Sequence, residues 1–187
     1  SEMNGFKHIY KLDFSGEHKQ VTNGEWDVID FLGLDHEKNT IYYSSCEPHS
    51  TQKSIYSINE DGSNKKEISQ ESGYNDAGFL KGMKYYIHTY SNANTPPTIS
   101  LRSSDGSLVT VLQDNSRLKN KLKEYPKMNQ KMISSIDLGY IQLNTSMILP
   151  QDFDSTKKYP VYFNVYGGPG HNEVLDSYDA GDYMYHQ

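Results

Sequence analysis

Cysteine is almost missing from this chain: of its 187 residues only Cys46 carries a thiol. No intrachain disulfide can form, and metal frameworks built on several cysteines are excluded. Cys46 follows Ile41-Tyr42-Tyr43-Ser44-Ser45, a setting that favours a small buried residue at a strand end over a reactive thiol. Long apolar runs are missing too, so no segment reads as a membrane span. Hydrophobic residues make up 35% of the chain, little for a compact α/β enzyme. Positive charge is neither abundant nor clustered. The net charge is −6, spread along the chain, which argues against a nucleic-acid surface. The one basic concentration, Lys119, Lys121, Lys123, Lys127 and Lys131, reads as a solvated helix face and loop. No signal peptide pattern follows Ser1, and in an excised piece that would say nothing of compartment. The seven histidines never fall at His-x-x-x-His or Glu-x-x-His spacing, so no metal site is expected. Gly167, Gly168 and Gly170 form no phosphate loop, since neither Lys nor Ser/Thr follows at the required spacing. No cofactor is expected.

Aromatic residues are plentiful instead: 16 tyrosines and 6 phenylalanines favour sheet over helix. The strands repeat. His8-Ile9-Tyr10-Lys11-Leu12 leads to Gly16 and then Val21-Thr22; Ser54-Ile55-Tyr56-Ser57-Ile58 leads to Gly62 and Ile68-Ser69; Thr98-Ile99-Ser100-Leu101-Arg102 leads to Gly106 and Val111-Leu112. Each unit reads as a hairpin with glycine at its tip. Asp61-Gly62-Ser63-Asn64, which superficially resembles a calcium loop, is explained better as one of these tips. The three glycines stand 46 and 44 residues apart. Between the hairpins lie further strand pairs: Trp26 to Leu34 with Thr40 to Ser44, then Asp76 to Leu80 with Lys84 to Tyr90. Each period therefore holds four short strands, the spacing of a β-propeller blade. A sandwich would give similar strands but no fixed period. Trp26 and the tyrosines are expected in blade cores rather than in a ligand groove. About two to three blades are present where a closed propeller needs four to eight, so this chain is not expected to close a ring alone.

After Gln113-Asp114-Asn115 the pattern changes. Residues 116–125 read as a short polar helix with Ser116 as its cap and Leu118 and Leu122 on one face, ended by Pro126. Ile141 to Pro150 reads as a strand, and a second domain is expected to start near residue 130. Tyr159-Pro160-Val161-Tyr162-Phe163-Asn164-Val165 reads as a buried strand that runs into Tyr166-Gly167-Gly168-Pro169-Gly170, a tight turn. Loops at the carboxyl ends of strands are where α/β enzymes place chemistry, and the phenol of Tyr166 can offer a hydrogen-bond donor there. In the polar tail, Tyr183-Met184-Tyr185 could open a helix.

Blades followed by a strand entering Tyr-Gly-Gly-Pro-Gly behind Lys157-Lys158-Tyr159-Pro160 resemble the prolyl oligopeptidase family of serine peptidases, and most closely its dipeptidyl peptidase IV branch. The resemblance covers nearly the whole chain. Asn4 to Tyr10, Gly24 to Val28, Thr89-Tyr90-Ser91 with Thr95-Pro96-Pro97, and Val111 to Asn115 resemble blade segments. Phe153-Asp154 with the stretch from Lys157 to Gly170 resembles the start of the catalytic domain. The fold class so implied is mostly β: a partial β-propeller (residues 1–115), a helical linker (116–130), and the first strands of an α/β-hydrolase domain (131–187).

The resemblance implies that Tyr166 helps form an oxyanion hole, with a backbone N–H beside the nucleophilic serine as the other donor. It also exposes departures. Gly-x-Ser-x-Gly is absent, and in that fold the Ser, Asp and His of the triad all follow this motif, so His171 and His186 are poor candidates. The acidic pair that holds the substrate's free amine in this branch has no match here. The expected function is therefore a fragment of a serine exopeptidase that releases Xaa-Pro or Xaa-Ala dipeptides, inactive alone. The family implies a peptide substrate, homo-oligomers, and a periplasmic, secreted or cell-surface location. Two rivals share these features: a non-catalytic propeller-type peptide-binding module, and an acylaminoacyl peptidase or endopeptidase of the same superfamily. Open blade edges are further expected to promote self-association.

Overall fold

The computed structural model describes residues 1–125, 131–168, 172–179, 181 and 185. Pro126, Lys127, Pro169, Gly170, His171, Tyr183, Met184 and His186 lie outside the described residues. The described chain is built from antiparallel sheets. A first hairpin pairs β1 (Tyr10–Leu12) with β2 (His18–Gln20). Next comes a four-stranded sheet in sequence order: β3 (Val28–Asp35), β4 (Thr40–Ser45), β5 (Ser54–Asn59) and β6 (Lys66–Glu67). A second four-stranded sheet repeats that meander with β7 (Tyr74–Phe79), β8 (Tyr85–Asn92), β9 (Thr95–Ser103) and β10 (Leu108–Gln113). The sequence-derived period is thus a structural unit, a four-stranded blade. The β1–β2 hairpin corresponds to the last two strands of a preceding blade.

Equivalent hydrogen bonds recur from blade to blade. The N–H groups of Gly16, Gly62 and Gly106 donate to the carbonyls of Asp13, Asn59 and Ser103 across each tip. All three glycines have φ near +90° (90°, 89° and 93°), a left-handed region open to glycine at little steric cost. At the tip of the middle hairpin, the Asp61 carboxylate accepts the Ser63 N–H at 2.9 Å and the Ser63 hydroxyl at 2.6 Å, which is turn chemistry. Between sheets, the Val28 N–H donates to the Lys7 carbonyl at 2.7 Å and the Asn75 N–H to the Lys53 carbonyl at 2.9 Å. Each blade is therefore stitched to its predecessor in the same way.

Packing follows the two-residue period of a strand. Ile41 and Tyr43 of β4 join Val21, Val28, Tyr56 and Ile58 in a cluster against the first hairpin. Tyr42, pointing the other way, joins Ile55, Ile68 and Tyr86 between the two blades. Both faces of β4 are covered, which explains its unbroken apolar run Ile41-Tyr42-Tyr43. Trp26 stacks on Tyr43 at 6.2 Å and Tyr43 on Tyr56 at 5.4 Å, so the aromatics are blade core as expected. Cys46 sits just past β4 and is half-buried.

After the second blade, α1 spans Ser116–Lys123. Ser116 does not cap it. Asn115 holds that position in a left-handed conformation without a side-chain cap. Asp114 instead accepts the Ser116 N–H at 2.9 Å, which removes the need for a hydroxyl there. The hairpin of β11 (Lys131–Asp137) and β12 (Gln142–Ile148) follows. Only its second strand was read from sequence. The expected strand Tyr159–Val165 is not formed: among the described residues no strand or ladder includes residues 159–167. Nor is it buried, since Val161 is 69% and Phe163 81% exposed. Among the described residues β11 and β12 pair only with each other, and a lone segment cannot form a sheet. Among the described residues no helix is long and apolar enough to cross a membrane.

Candidate functional site

The approach to Tyr166 is shaped by a self-fastened loop. The Phe153 N–H donates to the Pro150 carbonyl at 3.1 Å, and the Lys157 N–H to the Asp154 carbonyl at 2.9 Å. The Asp154 carboxylate accepts the Thr156 hydroxyl at 2.7 Å and the Thr156 N–H at 3.0 Å. Those bonds hold its pKa below the usual carboxylate value. Tyr159 folds back on the loop: its phenol oxygen accepts the Asp154 N–H at 2.9 Å, and its ring meets Phe153 at 5.2 Å. Tyr159 therefore fixes the direction in which Pro160 to Tyr166 leaves, a role that sequence reasoning missed.

Tyr166 is 54% exposed. Its phenol lies back over its own turn: a Cβ on Gly168 would sit 2.7 Å from the phenol oxygen and 2.9 Å from the ring. Glycine at 168 thus leaves room for this placement of the donor.

The same region is moored to one face of the blades. The β8–β9 turn presents Asn94, whose side chain donates to the Lys131 carbonyl at 2.9 Å and accepts the Lys131 N–H at 2.8 Å. The β4–β5 loop presents Ser50. Its hydroxyl accepts from Asn144 at 2.7 Å and its carbonyl from Asn172 at 2.8 Å. Residues 172–179 then run across both loops, with the Asp176 N–H on the Thr51 carbonyl at 2.8 Å and the Tyr178 N–H on Ser91 Oγ at 3.3 Å. Asn94, Ser50, Asn172 and Asp176 carry no signal in the sequence beyond being turn-forming polar residues.

Beneath this face the first strands of the two blades, β3 and β7, share a buried lysine. Lys53 Nζ lies 3.3 Å from Asp30 Oδ2 and 3.2 Å from Asp76 Oδ1, and 4.9 Å from the Tyr74 ring centre. Burial works against its charge, but Asp76, Tyr74 and Asp30 outweigh burial and hold the ammonium above the ordinary lysine value. Among the described residues no three His, Cys, Asp or Glu side chains converge as metal ligands would.

Stacked four-stranded meanders joined by repeated stitches, with the β11–β12 hairpin and residues 172–179 bonded to one face, define a propeller-type β protein. Residues 1–97 match the family model described as the dipeptidyl peptidase IV N-terminal region, and the chain belongs to that family. It is 35% identical to dipeptidyl peptidase 4 of Trichophyton equinum over 98% of this chain and 24% of that protein. It is 30% identical to the probable dipeptidyl peptidase 4 of Aspergillus flavus over 96% of this chain and 24% of that one. The crystal structure of Porphyromonas gingivalis dipeptidyl peptidase 4 superposes with a TM-score of 0.89 at 38% identity, over 98% of this chain and 26% of that chain. The chain thus spans about a quarter of the length of the curated relatives it matches.

Proposed function

We propose that this chain is part of a serine exopeptidase that removes Xaa-Pro or Xaa-Ala dipeptides from the N-termini of peptides. In this reading residues 1–115 are blades of a propeller, 116–130 a linker, and 131–187 the opening of an α/β-hydrolase domain. The observation that carries it is the likeness to a dipeptidyl peptidase 4 structure across 98% of the chain at 38% identity. That span includes the blades, the β11–β12 hairpin and the Tyr166 loop together.

Tyr166 is the catalytic residue this chain contributes. Attack of a serine hydroxyl on the scissile carbonyl turns its oxygen into an oxyanion, and a pre-aimed phenol O–H stabilises that charge by about 3 kcal/mol, the usual worth of one such donor. The Ser, Asp and His that complete the reaction belong to polypeptide outside these 187 residues, so the chain alone is inactive. The full-length protein acts as a homo-oligomer in a periplasmic, secreted or cell-surface setting.

The test is a comparison of chromogenic substrates with the full-length protein. A free-amine Gly-Pro substrate is expected to be cleaved rapidly and its N-acylated counterpart hardly at all. Cleavage of only the blocked substrate would instead assign an acylaminoacyl peptidase. Cleavage of neither would assign a binding module.

A further inference from the structure

The carbonyls that close the three hairpin tips belong to Asp13, Asn59 and Ser103, and six residues before them stand Lys7, Lys53 and Pro97. These positions are equivalent, but their chemistry is not. At the first two, lysine binds the start of the following blade through all its polar groups. The Lys7 N–H donates to Asp27 Oδ1 at 2.6 Å, its carbonyl accepts the Val28 N–H at 2.7 Å, and its ammonium donates to the Ile29 carbonyl at 3.0 Å. The Lys53 N–H donates to the Gly73 carbonyl at 3.1 Å, its carbonyl accepts the Asn75 N–H at 2.9 Å, and its ammonium donates to Asp76 at 3.2 Å. Pro97 has no N–H and no ammonium. Only its carbonyl is left, and the Asn115 side-chain amide donates to it.

Asn115 stands at the cap of α1 in a left-handed conformation, φ 52°, yet its side chain makes no cap hydrogen bond. Its amide nitrogen is engaged by Pro97 and its oxygen accepts from Gln113 at 3.0 Å, so neither serves the helix. One turn on, Lys119 Nζ donates to Thr98 Oγ1 at 3.3 Å. α1 therefore lies against the start of β9, the place that β3 takes beside Lys7 and β7 beside Lys53. We propose that Pro97 and Asn115 form a stop: they end the stitched series of blades at β7–β10 and seat α1 in the slot of a following first strand. An amide side chain reaches the stitching carbonyl without bringing a strand with it, so the chain leaves the series at residue 115. The inference goes beyond the peptidase reading and does not depend on it.

The experiment measures hydrogen exchange at single-amide resolution in the full-length protein and its Asn115→Gly, Asn115→Asp and Pro97→Ala variants. Glycine keeps the left-handed backbone and deletes the amide. Asn115→Gly is expected to speed exchange in α1 about fivefold, the effect of one lost hydrogen bond, with β8 and β9 unchanged. Asn115→Asp keeps the size but cannot donate, so it should speed exchange at least as much. In Pro97→Ala the restored N–H meets no strand and should exchange within about tenfold of an unstructured amide, while that of Lys53 stays protected. Unchanged exchange in α1 of Asn115→Gly would overturn the proposal, as would acceleration spread equally over β8 and β9. An Asn115→Asp variant that behaves like the unaltered protein would overturn it too. So would a protected amide at position 97, since a strand would then occupy the slot. Should Asn115→Gly not fold, Lys119→Met deletes the second seat of the helix. Faster exchange confined to α1 then supports the proposal, and unchanged exchange overturns it.

Discussion

His88 is one of seven histidines, and nothing in its sequence neighbourhood sets it apart. In the fold it is buried inside the second blade with Nε2 3.0 Å from Asn75 Oδ1. Burial, reinforced by the nearby Arg102 guanidinium and opposed by Glu71 and Asp76, lowers its pKa to about 4. A histidine whose folded pKa is depressed binds its proton more readily when unfolded. Its contribution is therefore fully present above the ordinary value near 6.5 and is lost as pH falls from there toward 4. The difference is on the order of 3 kcal/mol. Thermal unfolding midpoints should fall across that window, and His88→Phe should flatten the fall. An equally steep dependence in the variant would show that other groups carry it. Burial of this kind depends on Asn75, Glu71 and Arg102 arriving from other elements, so it could not be read from sequence. The hairpin glycines could, because their requirement is local.

Among elements, the hairpins were legible for the same reason: alternation and a glycine tip specify both strands and turn within some 15 residues. What the repeat did not reveal is that the tips also touch the preceding blade. A Cβ on Gly106 would lie 2.5 Å from the Ile68 carbonyl oxygen and one on Gly62 3.1 Å from that of Val21, whereas one on Gly16 meets nothing within 4 Å. Gly16→Ala should therefore cost only the left-handed backbone strain, about 1 kcal/mol. Gly106→Ala should cost at least about 2 kcal/mol more, since a rigid carbonyl must move out of the way. Denaturant midpoints of the two variants check this, and equal losses would count against blade stacking at the tips. Two other elements were misread. β11 was missed because Lys131-Met132-Ile133-Ser134-Ser135 alternates weakly. Residues 159–165 form the short apolar, β-branched and aromatic run of a buried strand, but strand formation needs a neighbour, and none of the described strands pairs with them. Val161, Tyr162, Phe163 and Val165 are exposed instead.

At the scale of the molecule, the order of weak signals carried more than any one of them. Blade, blade, helix, strand and Tyr-Gly-Gly turn in that order point to the family to which residues 1–97 belong. The mooring of residues 131–179 to the blade face is invisible in the sequence, because it joins Asn94 to Lys131 across 37 residues, Ala93 to Asp176 across 83 and Ser50 to Asn172 across 122. The central claim is that the Tyr166 phenol stabilises the oxyanion. Its most direct test is the turnover of full-length Tyr166→Phe on a Gly-Pro substrate. A fall in kcat of about 100- to 1,000-fold with KM nearly unchanged and the fold intact is the expected result. A kcat equal to that of the unaltered enzyme would contradict it.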